Sequence, residues 1–316
     1  MGRFYPNDFV LSADSVLDAC RASTNFTYFG QPGLLIDYTI TARNAAGATV
    51  THYDASAGYG VATVALAAEA TSNNGTSLTS RLTSSSSSWA NGVYTVDDNS
   101  GQFSRSTPES ELDVAIGVTI TDSLDSRNLT SLDLNPSTSG DCTSAGNCTS
   151  KLLTGTAKFR WGRLILSSAS GPENQNLSIP VLAEYYGGTS YLTNTYDSCT
   201  EIARSKIAFD SATIDSTANL TIDVGSGTNN STGESSNRTL NGNDMILSNG
   251  DGNLYFTAPS PTATGTFTVG IDASSLSWLL FDWDFDGSHD DSPPTVTGSF
   301  GTFGGHDKIL FRRVVN

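Results

Sequence analysis

Leu112-Asp-Val-Ala-Ile-Gly-Val-Thr-Ile120 sets apolar side chains at five alternate positions, Leu112, Val114, Ile116, Val118 and Ile120. Between and beyond them, Asp113, Thr119 and Thr121 put polar groups on the opposite side. A period of two with one apolar and one polar face belongs to a strand that covers a core and meets water. That pattern is typical of antiparallel sandwiches. It recurs on both sides of this stretch. Ile36, Tyr38, Ile40 and Ala42 alternate within residues 34–43, and Val64, Leu66 and Ala68 within 61–68. Further on come Ala157, Phe159 and Trp161, then Leu164 and Leu166, then Ile179, Val181, Ala183 and Tyr185. Asn44 to Gly47 and Gly187-Gly188 read as turns between strands.

The expected fold is therefore all-β: two Ig-like antiparallel β-sandwich domains, residues 1–150 and 151–316, with little helix. Only Asp14 to Cys20 has the spacing for a turn or two of helix. Residues 92–96 and 102–103 read as the arms of a short hairpin. Pro180 predicts an edge strand or a bulge, because proline lacks a ladder donor. Residues 224–240 are low-complexity, and Ile309-Leu-Phe-Arg312 reads as a closing strand.

The chain has 316 residues and a net charge of −16, with only 15% charged residues and a pI near 4.3. Its twelve arginines and four lysines are scattered, Arg312-Arg313 being the one adjacent pair. Nucleic-acid binding needs clustered cations, so that class is excluded, and anionic membrane surfaces are disfavoured for the same reason. No apolar run approaches the ~20 residues of a membrane-spanning helix. Met1-Gly-Arg-Phe-Tyr-Pro6 lacks the apolar core of a signal peptide. With four cysteines (Cys20, Cys142, Cys148, Cys199) and a Ser/Thr/Asn/Gly-rich composition, the expectation is a piece of a longer secreted chain. Asn-x-Ser/Thr sequons such as those at Asn128 and Asn176 arise by chance in such a composition.

Several motifs occur together: Phe4-Tyr-Pro-Asn-Asp-Phe9, Phe26-Thr-Tyr-Phe-Gly-Gln-Pro32, Asp141-Cys-Thr-Ser-Ala-Gly-Asn-Cys-Thr149, Arg160-Trp-Gly-Arg-Leu164, Asp197-Ser-Cys-Thr200, residues 278–291 and residues 303–312. Nearly end to end, they resemble the C-terminal domain of unknown function of MshQ-like proteins. Those are biogenesis proteins of the mannose-sensitive haemagglutinin (MSHA) type IV pilus. The resemblance implies the end of a longer secreted protein, often with a lectin-like domain upstream. It also implies an extracellular, pilus-associated location, with pilus or cell-surface proteins, or surface glycans, as partners. It carries no catalytic residues.

Catalytic chemistry finds little footing. No Gly-x-Ser-x-Gly elbow is present, and His52, His289 and His306 sit in polar, turn-like contexts. Glu109, Glu111 and Glu184 are the carboxylates weighed for glycosidase work. Tyr185, Tyr186 and Tyr191 surround the Gly-Gly turn and offer a possible sugar-stacking surface. The acidic stretch Asp282-Trp-Asp-Phe-Asp-Gly-Ser-His-Asp-Asp291 is the strongest site signal. Asp282, Asp284 and Asp286 occupy the first, third and fifth positions of an Asp-x-Asp-x-Asp-Gly run that opens like an EF-hand loop. Pro293 stands where the closing glutamate would be, so Asp290 or Asp291 and the Ser288 carbonyl are expected to complete a structural calcium site.

Four cysteines permit three connectivities. The five residues between Cys142 and Cys148, Gly146 among them, let that pair close a small loop, which leaves Cys20 for Cys199. The long bridge would staple the amino-terminal segment to the second half and contribute ~3–5 kcal/mol. Non-reducing peptide mapping should recover a Cys20–Cys199 cross-linked peptide; recovery of both as free thiols would refute the pairing.

Overall fold

The computed structural model describes residues 5–22, 24–210, 214, 220–224, 238–242 and 244–301. The expected strand at 309–312 and most of the stretch 224–240 lie outside the described residues. Strand accounts for 47% and helix for 5%, so the chain is all-β.

The chain divides into two compact units. The first holds β1 (Asp8–Leu17), β2 (Thr27–Tyr28), β3 (Leu34–Arg43), β4 (Thr63–Ala70), β5 (Leu82–Thr83), β6 (Val93–Phe103), β7 (Leu112–Thr121) and β8 (Lys151–Arg160). They form two sheets, β1-β3-β6-β5 and β2-β8-β7-β4. Ile36, Tyr38, Ile40, Tyr94 and Val96 come from one sheet, and Val114, Ile116, Val118, Ile120 and Phe159 from the other; all are buried in one core. The sheets meet at an aromatic stack in which the Phe103 and Phe159 rings lie 4.5 Å apart. The Arg81 guanidinium lies 4.5 Å from the Phe103 ring centre. This is an immunoglobulin-like sandwich, with the alternation of Leu112 to Ile120 pointing inward as expected.

The second unit holds β9 (Gly162–Leu166), β10 (Ala169–Gly171), β11 (Leu177–Tyr186), β12 (Tyr191–Thr193), β13 (Glu201–Ile202), β14 (Ile207–Asp210), β15 (Leu220–Val224), β16 (Arg238–Gly242), β17 (Met245–Ile246), β18 (Asp251–Phe256), β19 (Gly265–Ile271) and β20 (Val296–Phe300). One sheet runs β10-β20-β19-β14; the other runs β12-β11-β18-β15-β16, with β9 also on β11. Residues 185–192, at the tip of the β11–β12 hairpin, group with the first unit, as do residues 276–278. Phe256 and Phe267 join the two sheets at 4.3 Å. Gly298 is required there, since a Cβ at that position would fall 2.1 Å from the Phe267 ring.

β8, hydrogen-bonded to β7, groups with the first unit, which runs to Gly162. Three local expectations change. Residues 14–17 are strand rather than helix. A bulge marked by the register shift between Ser12 and Ser15, with Ala13 at φ 47°, kinks β1 without ending it. The expected hairpin at 92–103 is one continuous strand. Asp98 sits in an irregular part of it and takes hydrogen bonds from Ser84 Oγ, Ser85 N, Ser100 N and Ser100 Oγ. Despite its burial, those donors hold the Asp98 carboxyl well below the usual carboxylate range. Pro180 is neither at an edge nor at a bulge, since β11 has β18 on one side and β9 and β12 on the other. Its carbonyl accepts from Ser167 N–H on the side away from β18. The donor that proline lacks would have pointed the same way, past the end of β9 at Leu166.

Asp18 is a buried carboxylate at the end of β1, only 4% exposed. Its Oδ1 accepts from the Thr27 hydroxyl at 2.7 Å and from Lys158 N–H at 3.1 Å. Burial outweighs these donors and pushes its pKa up to about 6. A folded pKa above the unfolded value favours the fold in acid: the stabilisation is complete below pH ~4 and is lost as pH rises to about 6. The amplitude is about 3 kcal/mol. Asp18→Asn keeps an oxygen for both donors, so it should flatten stability between pH 4 and 6 and raise the melting temperature at pH 7. Equal wild-type and variant slopes across that range, measured by calorimetry, would count against this account.

Candidate functional site

The acidic stretch lies in the second unit, after a single 3-10 turn at Ser277–Leu279. Phe281 and Asp291 close it with reciprocal backbone hydrogen bonds of 3.0 and 3.1 Å. Inside that bracket, left-handed residues tighten the chain: Phe285 at φ 63° and Gly287 at φ 94°. Carboxylates then capture the exposed backbone donors. Asp291 Oδ2 accepts from Trp283 N–H and Asp284 N–H at 2.9 and 3.1 Å. Asp282 Oδ2 accepts from Gly287 N–H, and Asp284 Oδ1 from Asp286 N–H. Phe281 and Trp283 rings meet at 4.9 Å, and the Arg163 guanidinium stands 5.1 and 5.3 Å from their centres.

Carboxylate oxygens of Asp282, Asp284 and Asp291 all lie within 4.8 Å of one another. Asp282 Oδ1 is buried with no hydrogen-bond partner among the described residues. The Asp284 carboxyl is raised: the Asp286 N–H pulls it down, but desolvation and the charges of Asp286, Asp291 and Asp282 prevail. Three hard oxygen donors in this arrangement suit calcium better than a transition metal.

The expected ligand set divides. Asp291, one of the two residues expected to complete the site, joins Asp282 and Asp284, whereas Asp286 is not brought to them. Asp286 Oδ1 is turned to Ser288, 2.8 Å from its N–H and 2.6 Å from its hydroxyl. Asp290 Oδ1 lies 2.7 Å from that hydroxyl. The Ser288 side chain thus ties Asp286 and Asp290 to each other and away from the trio. The Phe281–Asp291 closure is what brings Asp291 rather than Asp290 to Asp282.

Tyr185, Tyr186 and Tyr191 do not make one platform. Successive strand residues face opposite ways. Tyr186 and Tyr191 pack on the first unit's core with rings 5.3 Å apart, whereas Tyr185 lies under the Arg160 guanidinium at 4.1 Å. Glu109 is held by both terminal nitrogens of Arg81, at 2.8 and 2.5 Å. Glu111 binds Lys158 and Arg160 at 2.7 and 2.6 Å, and Glu184 binds Arg163 at 2.7 Å. His52 is exposed and His289 lies 5.8 Å from the Phe281 ring; His306 is outside the described residues. Cys142 and Cys148 are bonded across a Cα–Cα distance of 5.0 Å around a four-residue helix capped by Asp141. No cysteine is free.

Residues 1–149 match the third domain and residues 160–314 the fourth domain of DUF6701. The chain belongs to the DUF6701 family. No curated protein sequence matches it. Among solved structures it is similar to the Yersinia pseudotuberculosis adhesin InvE at 13% identity and a TM-score of 0.27, covering 93% of this chain and 58% of that one. It is also similar to the Escherichia coli adhesin FdeC at 11% identity and a TM-score of 0.30, covering 93% and 62%. The D0-D1 domain of intimin overlaps at 13% identity with a TM-score of 0.18, covering 95% and 100%. The DUF6701 chain thus spans about three-fifths of the first two structures. With overlap this loose, the sandwich description rests on the strand pairings above.

Proposed function

We propose that this DUF6701 chain is a non-catalytic, extracellular module of a longer secreted protein, serving display, assembly or adhesion at the cell surface. The observation that carries this reading is what its glutamates do. Glu109, Glu111 and Glu184, the candidates for acid–base chemistry, are each ion-paired to an arginine: Arg81, Arg160 and Arg163. Glu111 sits below its ordinary pKa, since hydrogen bonds and charge from Lys158 and Arg160 overcome its burial. A carboxyl held ionised in that way is a poor proton donor near neutral pH. The disulfide at Cys142–Cys148 supports an oxidising compartment. No helix among the described residues is long and apolar enough to cross a membrane.

Placement with an MSHA-type pilus rests on the MshQ-like motifs, and the partners in that reading are pilus or cell-surface proteins. Immunogold labelling of the native full-length protein, with co-purification from sheared pili, tests it. Label on cell surface and pilus fractions is the expected result. Label confined to the cytoplasm would overturn the surface assignment, and surface label without pilus co-purification would overturn the pilus assignment alone.

Calcium is part of the same proposal. Asp282, Asp284 and Asp291 would hold one ion as a brace between Phe281 and the loop tip, with affinity of about 0.1–1 mM, as in extracellular modules. Calorimetry on chelator-stripped protein should show binding that Asp282→Asn removes and Asp290→Asn leaves intact, together with a calcium-dependent rise in melting temperature. Absence of binding heat at millimolar calcium, with an unchanged melting temperature, would leave the trio a charged turn.

A further inference from the structure

β4 is the last strand of its sheet: among the described strands it is paired with β7, and at its far end Glu69 also bridges to Ser77. Its residues alternate between bonding to β7 and pointing their N–H and C=O groups outward. Ala68 fixes which set points outward: its N–H donates to Thr79 Oγ1 at 3.0 Å, and its carbonyl accepts from Leu78 N–H at 2.8 Å. Ala62, in the same phase, donates to the Tyr53 hydroxyl oxygen and accepts from Trp89 Nε1–H, both at 2.8 Å. The Ala70 carbonyl accepts from Asn73 N–H. Val64 and Leu66 lie between these satisfied positions. Their two N–H and two C=O groups point outward with no partner among the described residues.

Exposed edges are normally guarded by a charge, a proline or a bulge. Thr63-Val-Ala-Leu-Ala67 has no charged residue and no proline, and its register with β7 is unbroken. The Val64 and Leu66 side chains are half-buried against the core, while Thr63 and Ala65 are exposed. The gap is therefore a short alternating row of donors and acceptors with an apolar inner rim, closed at one end by Tyr53 and Trp89 and at the other by Thr79.

We propose that this gap is a strand-addition site, filled by a short extended segment of a partner polypeptide lying along β4. Only an extended backbone presents acceptors and donors at the matching spacing. Three residues, about 10 Å of strand, make all four hydrogen bonds. The two residues opposite Val64 and Leu66 face the apolar rim, so they are uncharged and apolar. A gap about 10 Å long is too small to supply by itself the ~1,000 Å² interface that a folded partner or a second copy needs. The occupant is a linear segment.

The test uses the full chain and a seven-residue peptide of alternating threonine and valine with lysine at each end, with amide exchange read residue by residue. In the free protein the Val64 and Leu66 amides should exchange fast. At saturating peptide both should slow at least tenfold, and a twin peptide N-methylated on its inward amides should have no effect. Leu66→Pro removes an N–H that bonds nothing in the fold, so it should keep the thermal transition and lose the peptide effect. If that variant unfolds, Ala65→Glu, with its charge on an exposed position, serves in its place with the same expectation. The proposal is overturned if both amides are already protected in free protein, or if the N-methylated twin protects equally. It is also overturned if millimolar peptide has no effect, or if protection follows protein concentration without peptide, which would mark a second copy as the occupant.

Discussion

Backbone N–H groups in the irregular parts of this chain find their acceptors in aspartate side chains. Asp98 gathers Ser85 and Ser100, Asp141 caps the helix of the disulfide loop through Thr143, and Asp197 takes Cys199 and Thr200. Asp122 holds Leu124 and Asp125, and Asp291 holds Trp283 and Asp284. An amide donor stabilises an ionised carboxylate much as a cation would, without requiring a lysine or arginine. At these five aspartates, part of the chain's acidity is built into its loops as backbone acceptors.

That constraint also explains which parts of the structure could be read in advance. Alternation along Leu112–Thr121 and Leu34–Arg43 is a local property, and both strands stand where the pattern puts them. Asp97-Asp98-Asn99-Ser100 reads as a turn because its residue types favour turns. It remains strand because Ser84 and Ser85, remote in sequence, arrive to satisfy Asp98. Likewise β1 continues through a bulge that no periodicity registers, and Pro180 is tolerated because its neighbour strand stops short. At the acidic loop, the residue types and the glycine were legible. The loss of Asp286 and the choice of Asp291 over Asp290 were not, because they follow from the Phe281–Asp291 backbone closure and from a serine that engages Asp286 and Asp290.

The cations are few and correspondingly committed. Arg81 holds Glu109 while lying over Phe103; Arg160 holds Glu111 while covering Tyr185. Arg105 donates to the carbonyls of Gly162 and Ser277 and stacks on Trp161 at 4.2 Å. Each guanidinium joins a polar partner to an aromatic one, a use that a lysine would fill poorly. Charge at these three arginines therefore serves architecture first.

The pairing of β10 with β20 has a consequence for the order in which the molecule is made. Ser170 and Ser299 are hydrogen-bonded across 129 residues, and the two strands run parallel. A chain emerging amino-terminus first, from a ribosome or a translocation pore, presents β10 long before its partner exists. During that interval β10 is an unpaired three-residue strand with nothing to nucleate on, and closing so long a loop is slow. The first unit's central strands, by contrast, are released early and can collapse on their own aromatic stack. Synthesis thus imposes a sequence of events in which the second sandwich closes only after β20 has cleared the exit, later than the first.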